Sequence, residues 1–271
     1  SLPLKDRVGQ AVLGGLYIGP TQMTSCIIRH TRGGFVFSNV IKRPIDFPIK
    51  ELRPEDFKAC FKEKVRDLVV MVGGVTELSL KANIRKQPEV SEMMMLSSQP
   101  QKLLGPNFAK NVRYSILHNP AHNQCFLAST DQLQLNGLMD VIEKAQFRIV
   151  RMQSAFVSAL DKVLDEDDVK NARTFPLILE NGNAFFTKVS PQGMWEGWRY
   201  RAKVINSPED SVLKVFINSL GLTPQDNLLV VDLGSNFDYP IEKDLEGIAF
   251  KRYENFTCGR EYLPFHLATI N

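Results

Sequence analysis

The sequence predicts an α/β chain of two lobes built on one plan used twice. Three observations carry this. Apolar runs of strand length alternate with stretches of helical period along all 271 residues. A Pro-Glu-Asp tripeptide occurs once in each half, at Pro54-Glu55-Asp56 and Pro208-Glu209-Asp210. The order around it also repeats: glycine-tipped hairpin, third strand, helix, buried strand, glycine. Matching points (Gly19 and Gly182, Arg53 and Ser207, Gly73 and Gly234) lie roughly 160 residues apart, the spacing an internal duplication leaves.

In the first half, residues 11–19 form an apolar strand that ends at the Gly19-Pro20 turn. A second strand over 23–30 reverses at Gly33-Gly34 into a third over 35–41. Pro54, Glu55 and Asp56 suit a helical first turn. Proline lacks the N–H that would find no partner there, and the acids complement the helix dipole. Phe57, Cys60 and Phe61 make that helix's apolar stripe, and a buried strand over 68–72 runs into Gly73-Gly74.

The second half repeats this with a strand over 177–179, a turn near Asn181-Gly182, and a returning strand over 184–189. The Ser190-Pro191-Gln192-Gly193 turn leads into a third strand over 194–202. Ser207 caps the helix, Val212, Val215, Phe216 and Leu220 form one face, and Gly221 closes it. A buried strand over 228–231 then enters Leu233-Gly234-Ser235.

Residues 75–128 have no counterpart in the second half. They read as a strand over 75–84, a methionine-rich helix over 88–104, and a strand pair over 111–117 and 124–128. A helix opened by Thr130-Asp131 places Leu135, Leu138, Ile142 and Ala145 on a stripe. A short strand over 147–151 leads to another helix with Phe156, Leu160, Val163 and Leu164. The acidic run over 165–168 reads as an exposed linker.

Composition excludes several functions. A net charge of +3 with scattered basic residues argues against nucleic acid. The longest apolar runs are strand-sized, far short of the ~20 residues that span a bilayer, and no signal sequence precedes the first strand. The expected location is therefore cytoplasmic or cytoplasm-facing. Cys26, Cys60, Cys125 and Cys258 share no metal-binding spacing and read as buried thiols; His118 and His122 sit in a turn.

A repeated meander, helix and strand resembles the actin-like ATPase fold, shared by actin, sugar kinases and FtsA. Within it the chain is similar to PilM and to the cytoplasmic domain of GspL, inner-membrane platform components of type IV pili and type II secretion systems. The stretches that carry the resemblance are CFLASTDQLQLNGLMDVIEKAQFRIVRMQSAFVSALDKVL, LVVMVGGVTELSLKANIRKQPEVSEMMML, and the hairpins LYIGPTQMTSCII and LILENGNAFFTKV. The resemblance implies an α/β, actin-like (ribonuclease H-like) fold of duplicated βββαβα lobes. The first lobe spans 1–165 with a small α+β insertion at about 75–128, and the second spans 169–271.

It further implies a non-catalytic scaffold at the cytoplasmic face of a bacterial inner membrane, with inner-membrane platform proteins as partners and an assembly ATPase as a further candidate. No cofactor is expected. The alternatives are an ATPase using ATP with Mg, or a small-molecule kinase of the same superfold. Working members of the fold need an acid in each hairpin, because carboxylates hold Mg²⁺ and its waters at the phosphates, and glycines so that backbone can approach the nucleotide. Here Gly15 and Gly19 remain, but Tyr17 stands where the acid would be. The second hairpin offers Glu180 and Gly182, and the later adenosine glycine pair is reduced to Gly234-Ser235.

Tyr17, Gly19, Glu180, Gly182 and Gly234 are thus a vestigial nucleotide set with no catalytic or metal-ligating residue. Tyr17 is read as packing that fills the former phosphate pocket. Met93, Met94 and Met95 are the expected partner-binding residues, because methionine clusters adapt to varied surfaces. Trp195 and Trp198, three apart on one strand, are expected to face different sides, one of them a partner surface.

Overall fold

The computed structural model describes residues 12–19, 22–45, 49–73, 76–81, 112–119, 121–122, 124–170, 174–180, 183–201, 212–233, 245–253 and 263–270. Two five-stranded sheets dominate it. The first contains β1 (Val12–Ile18), β2 (Gln22–Thr31), β3 (Gly34–Pro44), β4 (Asp67–Val72) and β8 (Arg148–Ser154), in the order β3-β2-β1-β4-β8. The second contains β9 (Thr174–Glu180), β10 (Asn183–Val189), β11 (Trp195–Arg201), β12 (Asn227–Asp232) and β13 (Ala249–Arg252), in the order β11-β10-β9-β12-β13. In each, three antiparallel strands are followed by two parallel ones, so the duplication read from spacing is one of topology.

Strand alternation builds three cores, because successive side chains leave opposite faces of a sheet. Leu13 and Tyr17 of β1, Val69 and Met71 of β4, Ile178 of β9, and Leu229 and Val231 of β12 all enter one apolar cluster between the two sheets. The opposite parity (Leu16, Ile18, Leu68, Val70 and Val72) packs beneath α1 (Pro54–Lys58) and α2 (Gln132–Lys144). In the second sheet Phe175, Leu177, Leu179, Leu228 and Val230 pack with Phe216 and Ile217 of α5 (Val212–Ser219).

The central cluster is filled by α3 (Ala155–Leu164) and α6 (Leu263–Ile270). α3 contacts both β8 and β9, and α6 contacts α3, β1 and β4. Ser154 caps α3 by accepting from the Val157 N–H at 3.3 Å, and Asp131 caps α2 by accepting from the Leu133 N–H at 2.8 Å.

β13 and α6 carry no signal in the sequence. β13 has only four residues, and α6, LPFHLATI, is apolar with little periodicity. A helix buried on several sides shows no stripe. Two expectations are corrected. Residues 165–168 are exposed at Asp165, Asp167 and Asp168 as expected, but they are not a bare linker: α4 (Asp167–Lys170) forms there, Val169 is buried, and Lys251 pairs with Asp168 on the surface. Val215 is 67% exposed rather than core-facing. The sheet takes Phe216, Ile217 and Leu220 instead, because residues one and four apart stay on a face that Val215 leaves.

The third sheet, β5 (Thr76–Lys81), β7 (Gln124–Asp131) and β6 (Val112–Asn119), is antiparallel in the order β5-β7-β6 and feeds directly into α2. The methionine-rich stretch with Met93, Met94 and Met95, the first turn at Pro208, and Gly182 and Gly234 lie outside the described residues.

Candidate functional site

The two hairpin ends converge over Gly73, at the close of β4. The strand registers refine the duplication. Ile18 lies opposite Val72 in the parallel pair, and Leu179 opposite Asp232. The next residue bonds equivalently in each half: Gly73 N–H to Ile18 O at 2.9 Å, and Leu233 N–H to Leu179 O at 2.9 Å. Ile18 therefore corresponds to Leu179, Tyr17 to Ile178, and Gly19 to Glu180. The spacing that joined Gly19 to Gly182 is two residues too long.

Tyr17 and Glu180 nevertheless meet. Both have the parity that faces the inter-sheet space, and each is only 3% exposed. A Cβ added at Gly73 would lie 2.5 Å from the Tyr17 Oη and 2.9 Å from the Glu180 Oε1. No methyl group fits between the hairpins at that point without displacing one of them. Gly19 closes the first hairpin, its N–H donating to Gln22 O at 2.9 Å. Gln153, opposite Met71 on β8, holds a buried Nε2 that meets no acceptor among the described residues.

A second feature joins the insertion to the second sheet. Gln124, buried at the start of β7, grips the backbone of Trp195 with both ends of its amide. Oε1 accepts from the Trp195 N–H at 2.8 Å, and Nε2 donates to the Trp195 carbonyl at 3.0 Å. Asn119 Nδ2 donates to the Gly193 carbonyl at 2.9 Å. Phe126 stacks on Trp195 at 5.1 Å between centroids and meets Phe185 edge-on at 5.7 Å. The side chain of Trp198 lies outside the described side chains, although its backbone pairs with Phe186.

Beside this latch is a cavity of about 340 Å³, lined by Leu117, Asn119, Asp161, Leu164, Asp165, Lys170, Val189, Gly193 and Trp195. It draws on the insertion, the C-terminal end of α3, α4 and the β10–β11 hairpin. Burial raises the Asp161 pKa above the ordinary carboxylate range, and Asp165 one turn away raises it further, while Lys162 lowers it. Lys170 pairs with Asp165 at 3.2 Å.

The structure thus brings Tyr17 and Glu180 together, with Gly19 at the neighbouring turn. Sequence reasoning missed Gly73 as the contact between them, and Gln124 and Asn119 as the latch. An asparagine and a glutamine bracketing the turn of a strand pair were the available signal, since buried amides need partners.

No family model matches the sequence, and no curated protein matches it. Solved structures do. A Bacteroides thetaiotaomicron protein with actin-like ATPase fold and unknown function is 9% identical, with 98% of each chain covered and a TM-score of 0.57. The cytoplasmic domain of EpsL, an inner membrane component of the type II secretion system of Vibrio cholerae, is 11% identical over 96% of each chain, with a TM-score of 0.55. A chain of the PilM-PilN type IV pilus biogenesis complex is 12% identical over 96% of this chain and 98% of that one, with a TM-score of 0.58.

Proposed function

From an actin-like ATPase fold, we propose that this chain is a non-catalytic scaffold on the cytoplasmic side of a bacterial inner-membrane platform, of the type IV pilus or type II secretion kind. It binds partner proteins instead of turning over a nucleotide. The observation that carries this reading is the closure over Gly73. Where working relatives of the fold must admit a metal-bound phosphate between their hairpins, the Tyr17 Oη and Glu180 Oε1 crowd a point at 2.5 and 2.9 Å.

The latch supports the same reading. Nucleotide-driven members work by moving one lobe against the other. Here the insertion is tied to the second sheet by hydrogen bonds from Gln124 and Asn119 and by aromatic stacking. The likeness to EpsL and to PilM in its complex with PilN supports a platform partner, and the insertion over 75–128, with Met93, Met94 and Met95, is the proposed docking region.

The test is affinity capture from detergent-solubilised bacterial inner membranes, with and without Mg-ATP, alongside a phosphate-release assay. The expected result is recovery of a pilus or secretion platform protein in equal yield under both conditions, with no phosphate released. Recovery that depends on ATP, or sustained phosphate release, would refute the scaffold reading.

A further inference from the structure

Resting on that reading, we propose that the cavity between the insertion, α3 and the β10–β11 hairpin receives an arginine side chain on an extended segment of the partner. The cavity volume of about 340 Å³ is at the lower end of the range for ligand sites, suited to one long side chain rather than a cofactor. Its polar lining is dominated by acceptors. Asp161 and Asp165 project from successive turns of one helix end, where the α3 carbonyls add negative potential. Against these two carboxylates the lining supplies one ammonium, Lys170, which is engaged with Asp165. Lys162, next to Asp161 on α3, pairs with Glu166 at 3.4 Å.

Asp161 itself makes no hydrogen bond or ion pair with a described residue. Asn119 supplies an independent sign. It is only 8% exposed, its Nδ2 is committed to Gly193 and Gln124, and its Oδ1 accepts nothing from the described residues. A carboxylate and an amide oxygen with open acceptor capacity in one cavity call for a donor with several N–H groups. Guanidinium provides five in a planar fork.

The remaining walls, Leu117, Leu164, Val189 and Trp195, are apolar and match the methylene stem of arginine. An extended protein segment follows from the flanks. β6 is an outer strand of its sheet among the described residues, so it presents an edge to which a strand can add, whereas the β11 edge at Trp195 is already taken by Gln124. Met194, 46% exposed next to Trp195, extends apolar surface beyond the rim.

The experiment follows tryptophan fluorescence of the intact chain during titration with the capped peptide acetyl-Ala-Leu-Arg-Leu-Ala-amide. The same peptide with norleucine for arginine is the first control, and agmatine, a free guanidinium, is the second. Saturable binding of the arginine peptide is expected, weakened about tenfold both by norleucine and by Asp161→Asn, as for loss of one charge-assisted pair. Lys170→Gln should tighten it severalfold by releasing Asp165, which a merely structural aspartate would not produce. Absence of binding, equal affinity for the norleucine peptide, or indifference to Asp161→Asn in a folded chain would overturn the proposal. Agmatine binding as tightly as the peptide would overturn the protein segment as occupant. Capture of a platform protein that survives Asp161→Asn rejects this inference while leaving the scaffold reading standing.

Discussion

Replacing Gly73 by alanine probes the closure most sharply. The added methyl would sit 2.5 Å from the Tyr17 Oη, 2.9 Å from the Glu180 Oε1 and 3.0 Å from the Tyr17 Cε2, all well inside ordinary contact distance. Tyr17 cannot swing away, because it is buried in the central cluster with Leu13, Met71 and Phe156. Overpacking of this kind destabilises by about 1–3 kcal/mol. Tyr17→Phe removes the nearest atom and by itself costs about 1 kcal/mol for the lost hydroxyl interaction. In the double variant the methyl gains the space of Oη. The two changes should therefore couple by at least about 1 kcal/mol of relief, measured by urea unfolding of all four chains. Additive losses would mean that Tyr17 does not hold the space over Gly73, and the physical basis for excluding a phosphate would fail.

Other outcomes follow from the same structure. Gln124→Ala should destabilise by about 1–3 kcal/mol, because it strands the Trp195 N–H and carbonyl together; hydrogen exchange should speed at Trp195 and on β7, and unchanged protection would mean there is no latch. The Cys60 thiol, buried and pushed up to about 11 chiefly by desolvation, should resist iodoacetamide at pH 8 until the chain unfolds; rapid native labelling would contradict its placement. His266 has its pKa lowered by burial first and by Lys162 second, so the fold favours its neutral form. Its contribution is present above the unfolded value near 6.5 and is lost as pH falls below it. His266→Gln should therefore flatten the fall in melting temperature between pH 7 and pH 5, and an equal slope in both chains would refute this.

Much of the fold was legible because both sheets bury strands that alternate between two cores. Leu13 and Tyr17 go to one side and Leu16 and Ile18 to the other, and β4, β9 and β12 obey the same rule. What stayed hidden had no local pattern. α6 is apolar with little periodicity, so it lacks the stripe that marks a surface helix. β13 becomes a strand only because β12 offers it an edge. The acidic run at 165–168 reads as solvent-seeking and its aspartates do stay exposed, yet Val169 beside them is buried and ties the run to the core.

The site was legible in composition but not in register. The tyrosine of one hairpin and the glutamate of the other can be read directly. Their meeting over Gly73 depends on strand pairing, which sequence spacing misplaced by two residues. The latch was less visible still, since Gln124 and Trp195 are 71 residues apart and only the fold brings an amide against that backbone.

The central claim is that this fold works here without nucleotide, and calorimetric titration of the purified chain with Mg-ATP tests it most directly. No saturable heat is expected up to millimolar ligand, corresponding to binding weaker than about −4 kcal/mol. One-to-one binding with micromolar affinity would contradict the account, since it would require the hairpins to open over Gly73 and accept a phosphate where Tyr17 and Glu180 now meet.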